Sequence, residues 1–488
     1  MINEFILASP LMVIAFGAIA VLMLDAATRS KQAVYYGSIL FLILLGVSAG
    51  YTLQFGATEI AQVDKTISAN SMFFGGISAV FDIIFAMGGI LTIYSAREYI
   101  KKGYKEYNEF YSLILLSIVG MVVIAHANSL LMLFLGVELM SITFYILAGF
   151  FRNRISAIEA ALKYFLLGSF ASAFLLYGIA MMYGSTGSFM LSDISRLIAD
   201  GHFNATYLSI GLGLMIVGLS FKVAAFPFHQ WAPDVYFGAP TVVSGFLSTA
   251  GKAAAFAALI LVGKNVLAVP TSDLVYIHNS ETARLVLAVI AAATMLIGNL
   301  SALAQKNVKR MLAYSSVAHA GYMLMGIVSN SIEGYTAIAY YSAAYLFMQV
   351  GAFAIVGLLE TKDEQNMMIS DYSNLRATHP ILAAIMACFM LSLAGIPPFG
   401  GFFGKYFLFV SAIKAGYVWL TIVAVVSSII SMYFYIGLIL TMYFKPNDTP
   451  LNVGKFQGTS LTIAYAIIGI VLIGIVPNLF YGMIHFTF

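Results

Sequence analysis

Apolar runs of about twenty residues, joined by short polar stretches, recur along the whole of this 488-residue chain. An α-helix rises 1.5 Å per residue, so about twenty residues cross roughly 30 Å of hydrocarbon. The pattern predicts fourteen spans, near residues 9–28, 33–54, 72–95, 110–127, 129–150, 155–183, 205–226, 240–262, 283–304, 310–329, 334–360, 379–413, 416–443 and 459–484. The longest polar stretches, 96–109, 184–204, 263–282 and 360–378, are too short for a soluble domain. The expectation is an all-α polytopic membrane protein with one membrane domain, residues 1–488.

Two spans are interrupted. The seventh runs into FPFHQWAPDVYFGAP, with Pro227, Pro233 and Pro240, and the twelfth contains AGIPPFGGFFGK, with Pro397 and Pro398. Proline removes a helical hydrogen bond and clashes with the preceding turn. In lipid such a break persists only where protein or water satisfies the freed backbone groups. The two breaks are five spans apart, an odd number, so they are expected in opposite orientations. Paired broken helices in two halves point to an inverted-repeat transporter.

Composition narrows the class. The chain is 61% hydrophobic and 9% charged, against about 25% charged in soluble proteins, so its solvent is lipid. A net charge of +3, with no basic tract interleaved with aromatics, sets nucleic acid aside. The single cysteine, Cys388, can form no intrachain disulfide and cannot by itself hold an iron–sulfur cluster. MINEFILASP carries an acidic residue and no basic n-region, so residues 9–28 read as a retained span. Sorting lysines and arginines by side puts fifteen in one set of loops, among them Arg29, Arg97, Arg152, Lys306 and Lys445. Five, Lys65, Arg196, Lys264, Arg284 and Lys414, fall on the other. The positive-inside rule makes the first side cytoplasmic, with both termini outside.

The remaining four lysines, Lys163, Lys222, Lys252 and Lys405, lie inside or against apolar runs. An ammonium at the bilayer centre costs roughly 3 kcal/mol on insertion scales, so such residues mark ion or substrate paths. Burial disfavours the charged form, and a nearby carboxylate favours it. A lysine whose carboxylate partner can approach or withdraw is therefore a proton switch. Glu138, in the centre of the fifth span, is the candidate partner. Lys163 sits about 8 residues from its helix end, roughly 12 Å, and can instead snorkel or hold a static salt bridge. His319, mid-span beside Ser315, Ser316 and Tyr322, can relay protons or bond across helices as a neutral group. His126 and His229 read as structural, and Asp82 is assigned no role. GFFGKY lacks the first glycine and the hydroxyl of a phosphate loop, and no HExxH cluster exists.

The segments AHANSLLMLFLGVELMSITFYILAGF, IEAALKYFLLGSFASAFLLYG, FKVAAFPFHQWAPDVYFGAPT, NVKRMLAYSSVAHAGYMLMG and LSLAGIPPFGGFFGKYF resemble the antiporter-like membrane subunits of respiratory complex I, over about residues 5–485. The resemblance implies fourteen helices with two inverted five-helix repeats, spans 4–8 and 9–13, spans 7 and 12 being discontinuous. That divides the chain into 1–109 (spans 1–3), 110–262 (first repeat), 283–443 (second repeat) and 459–484 (last span). It also implies that Glu138 pairs with Lys222, that Lys252 is the central lysine, that Lys405 lies on the exit side, and that Lys163 lies near the glutamate–lysine pair. Lys405 stands where one paralogue has glutamate, and the chain stops at Phe488 where another extends into a lateral helix.

The implied activity is outward proton translocation in a bacterial inner membrane, driven by electron transfer from NADH to quinone. NAD, FMN, iron–sulfur clusters and quinone are expected in partner subunits and no cofactor in this chain. The partners are the other membrane-arm subunits, lipid and protons. The alternative is a subunit of a multi-subunit sodium–proton antiporter.

Overall fold

A computed structural model describes residues 2–28, 30–63, 72, 75–103, 107–361, 367–446 and 457–487. Among these, every regular element is helical, and extended backbone pairs only in isolated bridges such as Met72–Ala127. The main helices are α1 (Ser9–Thr28), α2 (Lys31–Val63), α3 (Ile77–Gly103), α4 (Glu109–Ala125), α5 (Leu130–Ala148), α6 (Ile155–Thr186), α7 (Ala205–Val223), α8 (Trp231–Gly238) and α9 (Thr241–Leu267). They continue with α10 (Leu274–Leu303), α11 (Val308–Ser329), α12 (Ile332–Leu359), α13 (Pro380–Ala394), α14 (Gly400–Lys414), α15 (Val418–Phe444), α16 (Gln457–Ile475) and α17 (Pro477–His485). Twelve are long and apolar enough to cross a membrane. The fourth and twelfth expected spans fall short by length: α4 has 17 residues, and the twelfth is split into α13 and α14, of 15 each.

The arrangement is a bundle around three helices. α9 is buried as far as Gly263, with Lys264 exposed and Asn265 half-buried near its end, and α11 and α12 are almost wholly buried. α1 and α15 are the least buried of the twelve, presenting side chains such as Phe16, Ile429 and Tyr433. An apolar face with no core to enter is stable here because lipid is its solvent. Neighbouring helices approach closely where a side chain is absent. A Cβ on Gly120 of α4 would stand 2.6 Å from the Met140 nitrogen of α5, and one on Gly178 of α6 would stand 2.9 Å from the Gly211 oxygen of α7. Small residues at such crossings are the usual means of helix association in membranes.

One end of the bundle is tied by a buried carboxylate. Glu360, just after α12, pairs with Arg154 of the α5–α6 link at 3.0 Å. It also accepts from Tyr99 of α3 at 2.8 Å and from Thr241, the first residue of α9. Glu360 therefore joins three parts of the chain far apart in sequence.

The second span runs on to Val63 and the third covers Ile77–Gly103, and three later spans also depart from expectation. The eighth runs to Leu267 rather than 262 and contains two π-helical stretches, Leu247–Gly251 and Gly263–Leu267. The ninth begins at Leu274, so much of the polar stretch 263–282 is helical. Its cap explains this: Asp273 accepts the Tyr276 N–H at 2.9 Å. The fourteenth is divided at Pro477, which opens α17. Of the basic residues used for orientation, Arg29, Lys65, Lys105, Lys362 and Lys455 lie outside the described residues.

Candidate functional site

The two broken spans end their first halves in the same way. α7 closes with Ala224 in the left-handed region (φ 59), the Ala225 N–H reaching Ser220 O at 2.8 Å. α13 closes with Gly395 (φ 86), the Ile396 N–H reaching Leu391 O at 3.0 Å. Both are six-to-one closures with a left-handed residue just past the helix. Each leaves carbonyls facing the protein interior, and each set finds a side-chain donor. The Trp231 indole N–H donates to Phe221 O at 3.0 Å. Lys405 Nζ donates to Leu393 O and Ala394 O, both at 3.1 Å.

Lys405 also reaches Ser428 Oγ at 3.1 Å and sits 4.8 Å from the centre of the Tyr322 ring. It stands at the negative end of a helix dipole and over a π face, two environments that favour a cation. Lys252 opens the α-helical stretch of α9 that follows the first π segment. Its amine donates to both Ser316 O and Ser316 Oγ at 2.6 Å. His319 lies between Tyr341, whose hydroxyl is 2.6 Å from Nδ1, and Tyr435, whose hydroxyl is 3.0 Å from Nε2. Ser316, His319 and Tyr322 are spaced by three along α11, so one face of that helix carries contacts of Lys252, then the histidine, then Lys405.

In the first half, Lys222 is the penultimate residue of α7 and donates to Ser141 Oγ at 2.8 Å. Ser141 lies three residues beyond Glu138 on α5. The expected Glu138–Lys222 pair is not a direct contact: among the described residues no ion pair within 4 Å joins them. The reason is local. Glu138 accepts from Ser172 of α6, and Lys222 meets α5 one turn further along.

Lys163 departs from its expected burial. Its side chain is 41% exposed and pairs with Glu159 and Asp234, both at 2.7 Å. Asp234 accepts from Arg310 at 3.0 Å as well. The long stem carries the charge to the helix end, where carboxylates are available. The structure thus brings Lys222 to Ser141, one turn from Glu138 on α5, sets Lys252, His319 and Lys405 along α11, and leaves Lys163 apart.

Sequence reasoning missed Ser141 and Ser428, which hold two of these amines, Ser172, which bonds the Glu138 carboxylate, and the tyrosines Tyr341 and Tyr435 beside His319. Nothing local distinguishes them, because serine and tyrosine occur throughout the spans. It also missed Asp234, whose position four residues before Gly238 in the proline-rich break was its only signal. Among the described residues, no group of three or more His, Cys, Asp or Glu side chains is placed to hold a metal.

Comparisons agree with this fold. Residues 127–431 match the family described as NADH:quinone oxidoreductase/Mrp antiporter, transmembrane region. The chain belongs to that family of antiporter-like membrane subunits. Its full-length relatives specify the branch. It is 40% identical to NADH-quinone oxidoreductase subunit N of Trichlorobacter lovleyi, over 96% of this chain and 94% of that protein. It is 40% identical to subunit N 1 of Chloroherpeton thalassium, over 98% and 97%. A chain of respiratory complex I from Thermus thermophilus superposes with a TM-score of 0.80 at 33% identity, covering 97% of this chain and 98% of its own. A chain of the Mrp complex from Dietzia sp. superposes at 0.83 with 21% identity, covering 98% and 96%, a likeness of fold.

Proposed function

We propose that this chain works as a subunit N of the membrane arm of a proton-translocating NADH-quinone oxidoreductase, and that Glu138, Lys222, Lys252, His319 and Lys405 are its proton line. The observation that carries the reading is the bonding of the buried amines. Lys252 and Lys405 are 2% and 4% exposed, and their described partners are hydroxyls, carbonyls and a ring, with no carboxylate in ion-pair reach. A buried charge without a counter-ion is held at high cost, so these amines gain and lose protons readily. Lys163, by contrast, is partly exposed and paired with two acids.

Each proton moved outward works against about 2.3 kcal/mol per 100 mV. This chain carries no redox centre in its own sequence motifs, so the energy comes from electron transfer in partner subunits, where NAD, FMN, iron–sulfur clusters and quinone are bound. The protein sits in the bacterial inner membrane, with both termini on the outer side and α4 and the α13–α14 pair completing fourteen spans. It is a single membrane domain: spans 1–3 in residues 1–109, repeats in 110–262 and 283–443, and a last span in 459–484. Both halves carry a broken span closed in the same manner, which supports the repeat. A sodium–proton antiporter subunit, the alternative, shares the family description, but the Mrp chain is 21% identical against 40% for the subunit N relatives.

The test is Lys222→Ala in the assembled oxidoreductase. Proton pumping and coupled quinone reduction fall, while NADH oxidation by artificial acceptors is intact. Unchanged pumping in a correctly assembled complex removes Lys222 from the line.

A further inference from the structure

A second pair of buried titratable groups lies outside the line just described. Asp82, in the second turn of α3, and His126, the residue that closes α4, meet at 2.8 Å through Oδ2 and Nε2. Neither side chain has exposed surface. The backbone that presents His126 is pinned by Ser78, whose hydroxyl donates to Ala125 O at 2.7 Å. Asp82 Oδ1 is buried and has no hydrogen-bond partner among the described residues. A half-satisfied acid buried in oil is costly, so packing alone gives no reason to place one here.

The position of the pair relative to Lys252 can be read from the packing. α3 runs antiparallel to α9. Tyr99 near the end of α3 meets Thr241 at the start of α9, its hydroxyl accepting the Thr241 N–H at 3.2 Å. Further along, a Cβ on Gly88 would stand 3.0 Å from the Ala250 Cβ. From that level Asp82 is six residues back along α3, and Lys252 is two residues onward along α9, both away from the Glu360 end. At 1.5 Å per residue their depths differ by about 6 Å, with Asp82 further out. α3 and α4 both pack on the stretch of α9 that begins with Lys252.

The other described charges on surrounding elements stand elsewhere. α9 contributes Lys252 and, at its outer end, Lys264. α5 contributes Glu138, α12 Glu333 at its start, and the helix Leu191–Ala199 the exposed Asp193–Arg196 pair. Asp25, Lys31, Arg97, Glu98 and Glu109 belong to the opposite ends of α1, α2, α3 and α4.

We propose that Asp82 and His126 form a further proton-holding site on the outer side of Lys252, an outlet from the buried line. The inference rests on the proton-line reading above. In the step, the Lys252 ammonium loses one proton and becomes an amine. The carboxylate–imidazole pair gains that proton and goes from a net charge of −1 to neutral. The pair then releases it towards the outer surface and returns to its starting charge.

The experiment uses the whole oxidoreductase in proteoliposomes, with Asp82→Asn, Asp82→Glu, His126→Gln and Lys252→Ala compared for protons moved per electron. Asp82→Asn keeps the size of the side chain and an acceptor for His126, and it cannot take a proton. The expected result is a loss of pumping in Asp82→Asn with assembly and melting temperature preserved, and recovery in Asp82→Glu. Infrared difference spectra of the turning-over complex show a carboxyl band that Asp82→Asn removes. If Asp82→Asn weakens assembly, His126→Gln, which retains an N–H for the carboxylate, decides the matter in its place. Full pumping in the assembled Asp82→Asn or His126→Gln complex, with Lys252→Ala defective, overturns the outlet and leaves the line standing. Full pumping in Lys252→Ala as well overturns the line itself.

Discussion

The two helix breaks are built alike and used differently. In both, a left-handed residue closes the first half-helix and leaves carbonyls inside the protein. At the first break the donor is the indole of Trp231, which carries no titratable proton, and the nearby lysine, Lys222, turns away to Ser141 on α5. At the second break the donor is Lys405 itself. The same backbone device is therefore met by a non-titratable indole in one half and by a lysine, which the proton-line proposal makes the exchanging group, in the other. A break supplies acceptors in oil, and the chemistry depends on which side chain is sent to meet them.

The largest effect that would sharpen this contrast comes from Lys405→Ala. It leaves Leu393 O without its described side-chain donor and Ala394 O with only the 3.4 Å bond from Ser428 Oγ, at about 1–3 kcal/mol for an acceptor left unsatisfied. Both the melting temperature of the complex and its pumping fall. Trp231→Phe is the matching change at the first break. It loses one hydrogen bond, about 1 kcal/mol, and leaves protons per electron unchanged. Loss of pumping in Trp231→Phe without loss of assembly would break the distinction.

Next in size is Gly395→Ala. A left-handed alanine costs roughly 1–2 kcal/mol, and its Cβ would come within 3.0 Å of Lys405 Cδ. Stability falls and pumping falls with it. Ala224→Gly relieves the equivalent strain at the first break and holds or raises the melting temperature by a small amount. If both substitutions moved pumping equally, the lysine at the second break would have no special dependence on its closure.

Ser316→Ala removes one of the two acceptors of Lys252 and keeps the backbone carbonyl, so about 1 kcal/mol of support is lost. The expected readout is slower coupled quinone reduction with assembly intact. The smallest change is expected from Lys163→Ala, because a partly exposed ion pair contributes about 0–1 kcal/mol. Pumping reduced as far as in Lys222→Ala would put Lys163 in the path after all.

Much of this was legible along the chain. Runs of about twenty apolar residues specify spanning helices, because lipid tolerates no unsatisfied backbone. The prolines at 227 and 397–398 mark both interruptions, and lysines at membrane depth mark the line. What could not be read was the company those lysines keep. Lys163 and Lys252 are both lysines in apolar runs. One is drawn to Glu159 and Asp234 at a helix end, and the other is held by Ser316 in the centre. Asp82 and His126 carried no pattern at all, since their meeting depends on α3 and α4 lying side by side.

By itself, the order of apolar and polar residues determined that the chain is a helical membrane protein, where two of its helices break, and which charges are out of place. Those are consequences of solvation and backbone hydrogen bonding, which act locally. Tertiary structure alone decided which amine faces a carboxylate, which faces a carbonyl, and that α11 spaces Ser316, His319 and Tyr322 between Lys252 and Lys405. Those contacts join residues tens to hundreds of positions apart. They are set by how the helices pack, which no local stretch of the chain encodes.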